Sequence, residues 1–379
     1  MTSNAPPLVT WAFPTNVVFG AGALQTVASH VARIGARRAL IVCDAELSRI
    51  GIASRVRDLL QEGGIPAAVF DRVNPNPVEK NILDGVAAYR AHDAACVIAV
   101  GGGSPLDAGK LIALKVTHER PLADFDDAAD GGQLIGPNVP PIVTIPTTAG
   151  TGSEVGRSGV VTLSRKTVIF SPHLLARVAL LDPELTRSMP PRITAATGFD
   201  ALTHCLEAFC SLGDHPMADA IALGGLELCA QHLVRAVQHG DDLAARGAMM
   251  KAAMMGAVAF QKGLGACHSL AHPLSSEKGL HHGLANAICL PAVVTFNEPV
   301  AKARLERIRA ILDPRAQTCA DAVRALRARV GLPSSLRAEG VTEADVPTLV
   351  EKAMEDGCHR GNPRPVGRQD MRALYEASI

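Results

Sequence analysis

Asp200 and His204 in GFDALTHCLEAF stand four residues apart, and His268 and His272 in CHSLAHPL repeat that spacing. On a helix, residues at i and i+4 project from one face, so each pair offers two donor groups to one point. His281-His282-Gly283 opens a third stretch that reads as a helix start. A carboxylate with several imidazoles is a ligand set for Fe2+ or Zn2+, whereas Mg2+ and Ca2+ take mainly oxygen. One such Asp/His pair is ordinarily a surface or core feature. Two pairs and a histidine doublet in one apolar helical region point to a metal. Spacing alone does not choose between His268 and His272 as the ligand. His215, His232 and His239 carry no partner pattern and read as surface or cap residues.

A second chemical signal lies earlier. CVIAVGGGSPLDAGK (96–110) reads as a strand, three glycines and a helix start, with Ser104 at the N-cap, Pro105 at the first helical position and Asp107 three residues after the cap. Glycines admit close backbone approach, and a helix N-terminus offers unpaired N–H groups, so the loop suits a pyrophosphate. It matches neither G-x-G-x-x-G nor the P-loop, because Lys110 is followed by Leu111. IPTTAGTGSEV (145–155) adds the hydroxyls of Thr147, Thr148, Thr151 and Ser153 after the next strand, where open α/β sheets bind ligands. Asp44, one residue beyond the first strand read, is placed either to accept from ribose hydroxyls or to cap a helix. A carboxylate there would repel a 2′-phosphate, which favours NAD over NADP.

The elements that must position these groups fall into two textures. ALIVC (39–43), AAVF (67–70), CVIAV (96–100) and IVTI (142–145) read as buried strands, separated by helices through Gln61, over 78–91 and from Pro105. That βαβα rhythm predicts a parallel, helix-covered sheet. VVTL and TVIF, split by Ser164-Arg165-Lys166, predict a hairpin, and VALLD (178–182) is expected to close the sheet. From Met189-Pro190-Pro191-Arg192 onward strand signals vanish and helical periodicity takes over.

Composition narrows the class. The 379 residues favour two domains, and 37 basic residues balance 37 acidic ones, so no net field draws nucleic acid or an anionic membrane. No uninterrupted apolar run reaches the roughly 18 residues of a membrane span. The segment MTSNAPPLVTWAFPTN lacks a signal-peptide pattern. Nine scattered cysteines without a CxxC pair fit buried free thiols in a reducing cytoplasm. Cys267, beside a candidate ligand, reads as core packing, and DFDDAAD (124–130) as a solvated loop.

Taken in order, GGGSPLDAGK, IPTTAGTGSEV, GFDALTHCLEAF, HSLAHPL, HHGLANAICLP and GNPRPV resemble the motifs of the iron-containing (group III) alcohol dehydrogenase family, from about Phe13 to the C-terminus. The resemblance implies a Rossmann-like dinucleotide-binding α/β domain over 1–190 and an all-α metal-binding domain over 191–379, in the architecture shared with dehydroquinate synthase-like enzymes. It implies Asp200, His204, His268 and His282 as metal ligands and His272 as a proton relay near the nicotinamide. Asp44, Asn76, Gly102, Gly103, Ser104, Thr147, Thr148, Thr151 and Lys166 would contact NAD, joined by Asp107 of the glycine-loop helix. The implied metal is Fe2+, with Zn2+ accepted by the same donors. The implied reaction interconverts a small primary alcohol or diol and its aldehyde, in a homodimer or larger homo-oligomer. Alternatives are a reductase of hydroxy or oxo acids, of the 4-hydroxybutyrate dehydrogenase or maleylacetate reductase type, and a dehydroquinate synthase-like lyase. Gly156 and Ser158 replace residues that are often larger on the nicotinamide side, and Arg157 between them could meet an anionic substrate.

Overall fold

Short runs of valine, isoleucine, leucine and alanine form β1 (Asn16–Phe19), β2 (Ala39–Val42), β3 (Ala67–Phe70), β4 (Cys96–Gly101), β5 (Ile142–Pro146) and, after a hairpin of β6 (Ser158–Thr162) and β7 (Lys166–Phe170), β8 (Val178–Leu181). The computed structural model describes residues 15–379. Residues 1–14, which hold most of the segment without a signal-peptide pattern, lie outside the described residues. Six strands pair in parallel in the order β1-β8-β5-β4-β2-β3. The inner strands β8, β5, β4 and β2 read as nearly unbroken apolar runs because both of their faces are covered. Leu40 and Val42 enter one core with Leu111 and Ile112, while Ala39 and Ile41 enter another with Val27 and Val56. Truncating a fully buried leucine such as Leu40 to alanine costs about 2–5 kcal/mol. Helices α1 (Val27–Arg33), α2 (Ala45–Arg49), α3 (Ile52–Glu62), α4 (Glu79–Ala91) and α5 (Gly103–Thr117) connect the strands.

Three local expectations are corrected. Asn16–Phe19 is an unread edge strand, and β8 lies between it and β5 instead of closing the sheet. The expected hairpin is present, as a two-stranded antiparallel sheet of its own. The stretch from Asp44 to Glu62 is two helices, because Gly51 turns the chain at φ 83°. Helix α5 begins at Gly103 with Gly102 as its N-cap, two residues before the serine expected there.

Beyond Pro191 the chain is helical: α6 (Pro191–Cys210), α7 (Pro216–Gln238), α8 (Leu243–Ala259), α9 (Ala266–Lys278), α10 (His282–Leu312), α11 (Cys319–Arg329), α12 (Val346–Glu355) and α13 (Arg368–Glu376). His215 accepts from Ala218 N and caps α7. Three helical segments, 216–238, 243–262 and 282–312, are long and apolar enough to cross a membrane. They reach that hydropathy with polar residues interspersed, which a search for unbroken runs misses. In this fold they pack around α6 and share one core with it. All nine cysteines are free; eight are buried, Cys267 among them, and Cys358 is half-buried.

The sheet reverses its strand order between β4 and β2, and the crevice beyond the C-terminal ends of such strands is where open α/β sheets take ligands. The glycine loop and the threonine loop follow β4 and β5 into that crevice, and Asp44 follows β2. Helices α6, α9 and α10 line its far side.

Candidate active site

A cleft of about 1220 Å³ is lined by both halves of the chain. On the helical side, α6 carries Asp200 and His204 one turn apart, α9 carries His268, and His282 is the first residue of α10. The Nε2 atoms of His204, His268 and His282 lie 3.9, 3.9 and 3.5 Å from the same atom, Asp200 Oδ1. Asp200, His204 and His268 are all buried. Gly283 makes this convergence possible: a Cβ there would sit 2.1 Å from the Ala196 carbonyl, so only glycine lets α10 start so close to α6.

Burial holds the imidazoles neutral, lowering His204 to about 4 and His282 well below its ordinary value. His268 is the exception. Burial opposes its charge, but Glu207 and Asp200 outweigh that and raise it. Glu207 Oε2 lies 2.6 Å from His268 Nδ1, and the same carboxylate accepts from Gly265 N and Cys267 N at the start of α9. One buried acid therefore fixes both the helix end and the ring. Asn286 donates to Asp200 Oδ1 at 2.8 Å, with its Nδ2 3.4 and 3.3 Å from Nε2 of His268 and His282. Lone pairs that converge like this repel unless a donor or a cation sits among them. The donor set, three imidazoles and one carboxylate, fits Fe2+ or Zn2+.

His272, one turn beyond His268, faces elsewhere. Its Nδ1 lies 2.7 Å from Asp356 Oδ2, and its ring stacks on His282 at 5.1 Å and 16°. Ser269 Oγ and Cys358 N donate to Asp356 Oδ1 at 2.6 and 2.8 Å. Burial alone would raise the Asp356 carboxyl, but His272 and these hydrogen bonds hold it well below the usual carboxylate range. Burial lowers His272, so the ring is neutral near pH 7.

On the sheet side, Gly102, Gly103 and Ser104 face Thr148 and Thr151 across the cleft floor. A Cβ on Gly103 would lie 2.9 Å from Thr151 Cγ2, so a side chain there would push the two loops apart. Ser104 Oγ donates to the Pro75 carbonyl, which ties the helix start to the loop bearing Asn76. Lys110 is fully buried and donates to Ser153 O, Ser153 Oγ and Ser158 O at 2.6–2.8 Å, so its protons are used in joining the loops. Ser153 Oγ donates in turn to Asp107 at 2.5 Å. Lys166 lines the cleft, and burial lowers its pKa against the opposing pull of Asp107 on the sheet side and of Asp356 and Asp200 on the helical side.

Of the expected residues, Asn76, Gly102, Gly103, Ser104, Asp107, Thr148, Thr151, Lys166, Asp200, His204, His268, His272 and His282 all line this one cleft. Asp44 and Thr147 are not among its lining residues. Asp44 accepts from Leu47 N at 2.9 Å and caps α2, while Thr147 is buried with its N–H on the Gly101 carbonyl. His281 lines the cleft but is exposed. The acidic stretch 124–130 is largely exposed, yet Asp126 pairs with Arg165. Sequence reasoning missed Glu207, Asn286 and Asp356. Glu207 had a signal, standing three residues after His204 on the same helix; Asp356 had none, being 84 residues from its partner.

A parallel sheet with a glycine turn at its switch point, facing a buried carboxylate and three imidazoles, is the arrangement of an enzyme that pairs a dinucleotide with a metal. The chain belongs to the iron-containing alcohol dehydrogenase family: residues 14–183 match the iron-containing alcohol dehydrogenase model, and 194–379 the C-terminal model of that family. It is 41% identical over 377 residues to a 4-hydroxybutyrate dehydrogenase of Cupriavidus necator, covering 96% of this chain and 98% of the relative. It is 38% identical to a 1,3-propanediol dehydrogenase of Klebsiella pneumoniae, covering 95% and 96%. The crystal structure of a 1,3-propanediol oxidoreductase superposes with a TM-score of 0.94 at 35% identity, over 98% of this chain and all of that one. The chain is thus an alcohol oxidoreductase.

Proposed function

We propose that this enzyme interconverts a small primary alcohol or diol and its aldehyde, with NAD as hydride carrier and Fe2+ held by Asp200, His204, His268 and His282. The carrying observation is the convergence of three imidazole nitrogens on Asp200 Oδ1, in the same cleft as the glycine and threonine loops. Fe2+, or Zn2+ on the same donors, supplies Lewis acidity that lowers the pKa of an alcohol oxygen. NAD+ supplies the hydride acceptor. The chain's own residues do the rest. Glu207 holds His268 in place, and His272, neutral near pH 7, accepts the proton that leaves the alcohol and passes it to solvent. Val258, Phe260, Leu264 and Leu280 give the cleft an apolar wall that excludes water, which strengthens every charge effect inside. The charge balance speaks against a nucleic-acid partner and the packing of the long apolar helices into one core against a membrane one, while the nine free thiols suit a reducing cytoplasm; a homodimer or larger homo-oligomer is proposed on the family resemblance. Functionally the chain divides near residue 190, with the nucleotide on one side and the metal on the other.

A second reading, a hydroxy-acid dehydrogenase, is favoured by Arg157. This half-buried guanidinium lines the cleft over the Phe170 ring at 4.8 Å, with no acidic partner among the described residues. A substrate carboxylate would complement it. An NAD-coupled screen of alcohols, diols and hydroxy acids, run on metal-stripped protein with Fe2+ or Zn2+ restored, tests both. Turnover of propanediol-sized alcohols supports the first reading, and a preference for 4-hydroxybutyrate the second. Equal activity without metal would overturn the centre.

A further inference from the structure

We propose that Asp356 is a positioning residue for the reaction: it holds His272 as the Nδ1–H tautomer and leaves Nε2 as the nitrogen that accepts the substrate proton. This rests on the proton-relay role of His272 given above. A neutral imidazole has one donor and one acceptor nitrogen, and a carboxylate only accepts. With Asp356 Oδ2 2.7 Å from Nδ1, the proton of neutral His272 belongs on that nitrogen. The free lone pair is then at Nε2. The proton leaving the substrate hydroxyl is taken at Nε2 and released to cleft water; none moves to Asp356.

The carboxylate is itself held from three sides. Besides His272, Asp356 receives Ser269 Oγ from the same face of α9 and Cys358 N from its own turn, and Ser269 Oγ accepts from His359 N at 2.8 Å. The chain leaving this turn is pinned by Asn362, 1% exposed, which accepts from Ala266 N at the start of α9 and exchanges two hydrogen bonds with Asn297. The C-terminal segment thus straps across α9 and delivers one acid to one ring nitrogen. Stacking on His282 fixes the plane of the ring, and Asp356 fixes which way round its proton lies. A relay with its proton on Nε2 would have no lone pair there to offer the substrate.

The test uses metal-loaded enzyme and the variants Asp356→Asn, Asp356→Glu, Ser269→Ala and His272→Ala. Metal per subunit, NAD+ affinity, kcat and KM for one alcohol are measured, with ¹⁵N-histidine NMR on the zinc-loaded form. Asp356→Asn is expected to keep metal and NAD+ binding and hold KM within about threefold, while kcat falls about 30-fold. Its spectrum should show His272 shifting toward the Nε2–H tautomer. Asp356→Glu should recover part of kcat, and Ser269→Ala should lose about threefold. Unchanged kcat or an unchanged tautomer in Asp356→Asn overturns the assignment, as does loss of the metal, which would mark a purely structural acid. If that variant does not fold, Ser269→Ala decides by the same readouts. Full turnover in His272→Ala would instead remove the relay, whereas an impaired His272→Ala beside an unimpaired Asp356→Asn removes only the role of Asp356.

Discussion

Glu207 Oε2 lies 2.6 Å from Nδ1 of His268, and this contact turns the ring so that its Nε2 faces Asp200. The acid also takes two N–H groups at the start of α9. Position of the helix and orientation of the ligand nitrogen are therefore one constraint. Replacing Glu207 with Gln keeps the shape but weakens the orientation, and metal affinity is expected to fall about 10–100-fold. Chelator competition followed by metal analysis checks this; unchanged affinity would mean the helix start alone positions the ring.

Asp200→Ala and His268→Ala each remove a member of the converging set. Both variants should lose bound metal and about three orders of magnitude of turnover, since the Lewis acid goes with the ligands. NAD+ affinity, which the proposed function assigns to the glycine and threonine loops, should stay within about threefold. Fluorescence titration with NADH beside metal analysis separates these effects.

His272→Ala should retain a full complement of metal, because His272 turns to Asp356 and not to Asp200. Its kcat should fall about 10²–10⁴-fold, the range for loss of a general acid–base group. Metal loss on this substitution would place the ring in the centre instead.

Arg157 offers the clearest reading of substrate class. If it meets a carboxylate, Arg157→Leu should raise KM for 4-hydroxybutyrate about tenfold, or about 1.4 kcal/mol, and leave KM for 1,3-propanediol within about twofold. Equal effects on both substrates would show that Arg157 serves the cleft wall only.

Glu154, 3% exposed behind the threonine loop, has its carboxyl raised by burial from 4.5 to about 7. Between those values the folded state binds more protons than the unfolded one, so the stability this group contributes is present below pH 4.5 and lost as pH rises through 7. Glu154→Gln should therefore stabilise the protein at pH 8, by up to about 3 kcal/mol, and not at pH 4–5. Thermal melts of both proteins across pH give the answer; parallel curves would refute it.

What the sequence determined by itself was local. Spacing of four residues put Asp200 with His204, and His268 with His272, on single helix faces, because helical periodicity depends only on neighbouring residues. Alternating apolar runs and helices gave the parallel sheet for the same reason, and the glycine turn after β4 was legible in its residues. Other matters were settled only by tertiary contact. Whether His268 or His272 turns to Asp200 depends on Glu207 and Asp356, acids brought in by other parts of the chain. The edge position of β1 and the interior place of β8 depend on which strands pair, and four-residue strands carry no label for their neighbours. A ring nitrogen takes its direction from the partner that holds its opposite side, and in this protein those partners are 61 and 84 residues away.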